Sequence, residues 1–363
     1  MPNQPHARST PSTREPTVLL SDLTGDLLWP KLLRAPAMAL SPSRLVIGMV
    51  TAFLVTVLSW IPSLWLEQTP HVLPSSNDVA ALNPIDAFDQ FLGVLVKAHY
   101  AVTSQPWTSL IVGVPMLVVL SLFGCVIARS AAVEFAQGRI CDPTTTSGFV
   151  LRRASHLLTA TLGPLVFAGL LIGLISLGGF LISAPVVNIA GAVLYAIGLL
   201  LGVIVTLVLA MQLLAFPLIA PAVACEGSDG FDAVQRSYAY IIGHPLRVFV
   251  FAAILFSLGA LAFGVFQLVL LGSIGLTDWC MQLLANDAGS RVLSGNGDLG
   301  ATQPIAHNII EFWRALFQLV FAGYVISYFY TASTMLYLVI RRVCDGQEIS
   351  ELWYDSADGR SGA

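Results

Sequence analysis

From Val186 to Ala224 the chain runs 39 residues without one charged side chain. A soluble helix of that length would need a polar face for water, and this run has none. A helix crossing about 30 Å of hydrocarbon needs about 20 mostly apolar residues, so the run belongs in a bilayer. Five further charge-free runs accompany it: Leu45–Trp65, Leu110–Ala128, about Leu158–Leu181, about Val248–Leu276 and about Ala315–Ile340. Composition agrees, since 10% of the 363 residues are charged against about 25% in soluble domains. The expected fold is therefore all-α: a polytopic transmembrane bundle of about six spans, with amphipathic juxtamembrane helices.

The fourth run is too long for one simple span. Pro217 and Pro221 remove backbone donors and disfavour helix just before themselves. The run reads as one long tilted helix from Asn188 to about Leu214, then a broken apolar segment, Phe216–Ala224, at the membrane surface. A seven-span alternative, with that segment re-entrant, stays open. Orientation follows from basic residues. With the N-terminus inside, 14 of the 17 lysines and arginines fall on the cytoplasmic side, leaving Lys97, Arg291 and Arg314 outside. This positive-inside bias predicts that both termini are cytoplasmic.

Four regions result. Residues 1–17, rich in Pro, Ser and Thr, are expected to be a disordered cytoplasmic tail. Residues 18–44 form an amphipathic juxtamembrane segment, either interfacial and anchored by Trp29 or packed under the bundle. Residues 45–343 hold the six spans, and residues 344–363 form a cytoplasmic C-terminal tail. Two long outer loops are expected, one with a surface helix around Phe88, Leu92 and Leu95. The other carries the turn-rich stretch SGNGDLG.

The most informative stretch is Ala220–Ala253. Ser228 suits a helix N-cap, Asp229 and Asp232 suit a helix N-terminus, and Gly243 with Pro245 supplies a stop. A cytoplasmic helix over Asp229–Ile242 follows, with an apolar stripe of Phe231, Val234, Tyr238 and Ile241 or Ile242. Arg236 stands four residues after Asp232, in the order that favours an ion pair, and Glu226 is a second candidate partner. An earlier segment, Ser147–Leu171, has the same plan of basic helix then span, with Arg153 falling where Arg236 does. Such units suggest internal duplication.

Glu226, Ala233, Arg236, Ser237, Tyr238 and Gly243, with the tail YLVIRRVCDGQEISELW, resemble a pattern in uncharacterised bacterial multi-pass proteins. These look related to the membrane domain attached to some glycerophosphodiester phosphodiesterases, and more loosely to Yip1-like proteins. The resemblance implies a bundle in the bacterial cytoplasmic membrane. It carries over no hydrolase activity, because the phosphodiesterase barrel is missing. Glu226, Asp232, Arg236, Ser237 and Tyr238 become the candidate cytoplasmic contact motif.

Chemistry is sparsely marked. The common nucleotide, metalloprotease and serine-hydrolase fingerprints are missing. The five cysteines show no CxxC spacing, and Cys141, Cys225 and Cys344 read as reduced thiols. His156 and His244 read as interfacial residues. The expectation is no catalytic, cofactor-binding or metal-binding residue and no cofactor. With a net charge of −4, nucleic acid is not an expected partner; membrane lipids are, together with other membrane proteins. The hydrocarbon-depth parts of the spans carry no ionisable side chain, which argues against a familiar ion-coupled carrier. The sequence therefore points to a non-enzymatic membrane protein that organises lipid or partner proteins. A transporter or channel component is the alternative, and a membrane-embedded lipid enzyme ranks below both.

Two packing expectations complete the reading. Gly173 lies 12 residues before Pro185 and Gly198 lies 13 after, with Gly169 and Gly202 one turn further on. Small-xxx-small faces let helices approach closely in lipid, so spans three and four should cross at Gly169, Gly173, Gly198 and Gly202. Gln267 and Gln318 fall at similar depth on spans five and six and should join those helices by a hydrogen bond.

Overall fold

Hydrocarbon offers no water to a backbone N–H or C=O, so each apolar run must satisfy its own backbone as a helix. The computed structural model describes residues 29–61, 106–183, 188–295 and 302–353. Every regular element among them is helical: α1 (Trp29–Leu32), α2 (Ala35–Ala39), α3 (Pro42–Trp60), α4 (Pro106–Gln137), α5 (Pro143–Arg152), α6 (Ala154–Ser183), α7 (Asn188–Glu226), α8 (Gly230–Gly243), α9 (Pro245–Gln282), α10 (Asp287–Ser294) and α11 (Gln303–Asp345). Six of these, α3, α4, α6, α7, α9 and α11, are long and apolar enough to cross a membrane. The chain is an all-α, multi-pass integral membrane protein. The tail at 1–17, the loop helix around Phe88–Leu95, the SGNGDLG stretch, the Ala184–Pro185 turn and residues 354–363 lie outside the described residues.

The 43 residues of α11 span about 64 Å at 1.5 Å per residue, twice the hydrocarbon thickness. The surplus turns of α4, α7 and α11 meet at one end, here termed the charged end. α11 is the axis of the bundle, and α3, α4, α7 and α9 pack on it, while α6 forms a hairpin with α7. At the charged end α8 lies across α6, α7 and α9. The juxtamembrane segment is described from Trp29. There Leu32, Ala35, Met38 and Ala39 are buried, and the Ser327 hydroxyl donates to the Ala39 carbonyl at 2.7 Å. This part packs under the bundle.

Helix crossings use glycines other than those the sequence pattern suggested. A methyl added at Gly169, Gly173, Gly198 or Gly202 would meet nothing within 4 Å, so these residues do not form the closest crossing of α6 and α7. The two helices are antiparallel neighbours, but they meet where Gln212 donates to the Thr161 carbonyl at 2.9 Å and at Gly191, where a methyl would lie 2.7 Å from the Ile182 side chain; Ala168 and Val205 are buried along them. The physical reason is helical phase: equal depth along two axes does not turn both glycine pairs to the same side. Gly173→Leu is expected to leave thermal stability in detergent within about 0.5 kcal/mol, whereas Gly191→Leu should lower it clearly. Equal melting temperatures would contradict this assignment.

The tight approach lies between α3 and α11. A methyl at Gly48 would strike the Gly323 carbonyl, and one at Gly323 would come within 2.7 Å of the Met49 backbone nitrogen. Gly124 of α4 makes room for the Tyr330 ring, whose hydroxyl donates to the Leu120 carbonyl at 2.8 Å. α9 and α11 are neighbours, as expected, but no hydrogen bond joins Gln267 to Gln318. Gln267 is buried and Gln318 half-buried. Aromatic rings make this contact instead: Phe266 stacks on Tyr324 at 4.9 Å, and Phe263 meets Tyr328 edge-on at 5.2 Å.

α7 runs unbroken from Asn188 to Glu226 through Pro217 and Pro221, so Phe216–Ala224 is neither a broken surface segment nor a seventh span. Leu218 to Cys225 is fully packed inside the bundle, and neighbouring elements supply polar partners there. The Cys125 thiol approaches the Ala220 carbonyl at 3.8 Å, and the Arg129 guanidinium donates to the Ala224 carbonyl at 2.8 Å. The carbonyls that Pro217 and Pro221 release are those of Leu213 and Pro217, so these two contacts hold the end of α7 in place and do not replace the bonds lost at the prolines.

Two stretches share one plan. In α5–α6–α7 and in α8–α9–α11 a short helix meets a one-residue hinge, Arg153 or His244. A long helix leads away from the charged end, and the returning helix closes on a left-handed glycine, Gly227 or Gly346. The hinge makes His244, not Arg236, the positional counterpart of Arg153.

Candidate functional site

A helix leaves its last four carbonyls without intrahelical partners, and a buried end must find them elsewhere. The end of α7 is buried, which dictates the site. Val223 accepts from the Gly227 N–H at 3.0 Å, Ala224 from Arg129, and Cys225 from the Trp353 N–H at 2.8 Å. The chain after α11 is thereby laid across the charged end as a strap. Arg129 also donates to the Trp353 carbonyl at 2.9 Å, and Arg153 lies over the Trp353 ring at 4.6 Å. Arg341, 2% exposed, donates to the Glu348 carbonyl at 3.0 Å, and Arg342 pairs with the Glu348 carboxylate at 2.8 Å.

Glu226 is the centre of the side-chain network. Its carboxylate, 12% exposed, pairs with Arg236 at 2.6 Å and accepts the Tyr337 hydroxyl at 2.6 Å. Arg341 stands 3.8 Å away. The Tyr337 ring meets Tyr240 edge-on at 5.8 Å, and Tyr240 donates to Asp345. Burial, reinforced by Asp345, pushes the Tyr240 phenol above its ordinary range, so it stays protonated as a donor. Burial by itself would lower the pKa of Arg236, but Glu226, with Tyr337 and Tyr240, raises it. Alongside, the Tyr238 hydroxyl donates to Gln212 at 2.9 Å, and Gln212 donates to the Thr161 carbonyl at 2.9 Å. Four helices, α6, α7, α8 and α11, are tied by these bonds.

Of the contact motif read from sequence, Glu226, Arg236, Ser237 and Tyr238 turn towards the bundle. Arg236 takes Glu226 as its partner; Asp232 is exposed. Ser237 is buried and donates back to the Ala233 carbonyl at 2.7 Å. The packed face of α8 is Gly230, Ala233, Ser237 and Tyr240, while Phe231 is 79% exposed. Small residues let α8 lie close to the bundle; Val234, Tyr238 and Ile241 also pack against the core, while Phe231 and Ile242 are left on the outside.

Sequence reasoning missed a second charge pair. Arg44, fully buried near the start of α3, is bonded to Glu134 in the last turns of α4. Two of its guanidinium nitrogens, Nε and Nη1, have no partner. The only sequence signal was a single acid, Glu134, in the helical extension beyond the second apolar run. At the opposite end Arg314 pairs with Asp278 at 2.8 Å and with Glu311 at 2.5 Å.

A shallow cleft of about 280 Å³ opens beside this network, lined by Glu226, Arg236, Arg341, Gln347, Glu351 and Trp353. Its inner charges are matched to one another and to carbonyls except at Arg341 Nε, which has no partner, an arrangement suited to clamping helices. Among the described residues no group of three or more His, Cys, Asp or Glu side chains could hold a metal ion. Arg236→Gln is expected to lower stability by about 1–2 kcal/mol, discounted for the partial exposure of Arg236. This exceeds the near-zero effect that an exposed pair would give, and thermal unfolding in detergent would measure it. Compared with known proteins, the chain matches no family model, no curated protein and no solved structure.

Proposed function

We propose that this integral membrane protein is a non-enzymatic organiser of lipid or partner proteins in the bacterial cytoplasmic membrane, with both termini and the charged end cytoplasmic. One observation carries the reading. The ionisable groups around Glu226 are used against each other and against carbonyls of the strap, which makes the charged end a rigid platform. The exposed side chains of α8, Phe231, Asp232 and Ile242 among them, offer that platform a mixed apolar and acidic outer surface. Kinship with the phosphodiesterase-associated membrane domain and the Yip1-like group belongs to the same proposal. Its support is the shared motif, which in this chain supplies Glu226 and Arg236 to the network.

The orientation rests on the basic-residue bias. Reporter fusions after Arg139 and after Asp287 should give opposite signals, and matching signals would overturn it. The rival reading, a transporter or channel component, needs water to reach α7 along Phe216–Ala224. Single cysteines at Leu218 and Ala222, both buried, are expected to resist a membrane-impermeant maleimide in intact membranes. Labelling at both positions would replace the organiser reading with a transport path.

A further inference from the structure

One face of α9 carries an apolar groove of about 550 Å³, running from Phe249 and Val250 through Ala253 and Ser257 to Leu261. Leu33, in the turn between α1 and α2, forms its other wall. From Phe249 to Leu261 the groove follows the helix for about 18 Å, close to the roughly 15 Å of one leaflet's hydrocarbon. It is therefore as long as one acyl chain is deep.

Charge at the mouth identifies the occupant. Side chains spaced three or four apart share one helical face, and Arg247 stands on the face that continues through Val250, Ile254, Ser257 and Leu261. Its guanidinium is exposed and touches the Val343 carbonyl at a long 3.4 Å. Lys31 and Arg34 flank Leu33 and are both exposed. Residues 29–61 contain no acidic side chain, and in α9 the first acid is Asp278, at the far end. The nearby carboxylates are engaged elsewhere, Glu348 with Arg342 and Asp345 with Tyr240. Both walls of the groove thus carry exposed cations, and among the described residues these two segments set no carboxylate beside them.

We propose that this groove is a binding site for one anionic phospholipid, its acyl chain along α9 and its phosphate between Lys31, Arg34 and Arg247. The inference deepens the lipid half of the proposed function by naming the lipid class and the site. It is tested on the full chain, purified in detergent and mixed with equal amounts of phosphatidylglycerol and phosphatidylcholine, with bound lipid counted by native mass spectrometry. The protein is expected to retain phosphatidylglycerol preferentially. Each of Lys31→Ala, Arg34→Ala and Arg247→Ala should reduce that preference about five-fold. Ala253→Trp, at an exposed position inside the groove, should displace the bound phosphatidylglycerol. Equal retention of the two lipids would reduce the groove to ordinary annular contact and overturn the proposal. So would a preference that all three charge variants leave intact, since these surface substitutions do not endanger folding even if the tryptophan does. Binding by the purified protein does not depend on what the lipid is for, so failure of the organiser reading would leave this result standing.

Discussion

Glu134→Ala is expected to destabilise the protein by about 3–5 kcal/mol, because it leaves Arg44 charged and uncompensated in the interior. Arg44 is fully buried, its only ion-pair partner among the described residues is Glu134, and two of its nitrogens already lack acceptors. Removing the partner leaves a charge with no route to water. The paired substitution Arg44→Met with Glu134→Leu removes both charges at similar volume and should restore most of the loss, since a buried ion pair replaced by apolar side chains is often neutral or stabilising. Thermal unfolding of the four proteins in one detergent completes the cycle. Additive effects of the two single changes would show that the residues do not act as a pair.

Gly48→Leu is the second large effect. Overpacking a filled interior costs about 1–3 kcal/mol and occasionally more. Here the upper end applies, because the obstacle is the backbone of Gly323, which cannot rotate aside as a side chain can. With few hydrophobic forces between helices in lipid, close backbone approach is a main source of their association. Separating α3 from α11 would also loosen the Arg44–Glu134 pair one turn below. Gly113→Leu is the control, since a methyl there meets nothing within 4 Å. A Gly48→Leu protein that folds and melts like the control would show that α3 and α11 do not cross at these glycines.

The glycine and glutamine expectations failed for the same reason. Spacing along a helix fixes depth, but rotation about its axis depends on every other contact the helix makes. Gly173 and Gly198 share a depth, yet Ala168 and Val205 hold the buried positions. α8 was legible as a helix and its polarity was legible too. Its apolar stripe was legible in large part: Val234, Tyr238 and Ile241 pack against the core beside Ala233, Ser237 and Tyr240, and of the stripe only Phe231 stays outside. The continuity of α7 through Pro217 and Pro221 was hidden because the elements that pack around it are distant in sequence, with Cys125 and Arg129 of α4 about 95 residues away from the carbonyls they meet.

What the sequence determined by itself is the number and position of the spans, because hydrophobic length against bilayer thickness is a local property that each run satisfies alone. It also marked Glu226 and Arg236, whose spacing around a helix start survives in the pair they form. Only the tertiary structure decided that Arg44 meets Glu134, that Arg129, Arg341 and Trp353 close the end of α7, and that Gly48 and Gly323 set the tightest crossing. These are meetings between distant segments, fixed by helix rotation and by the need of buried helix ends and buried charges for partners, and no window of the chain contains both members.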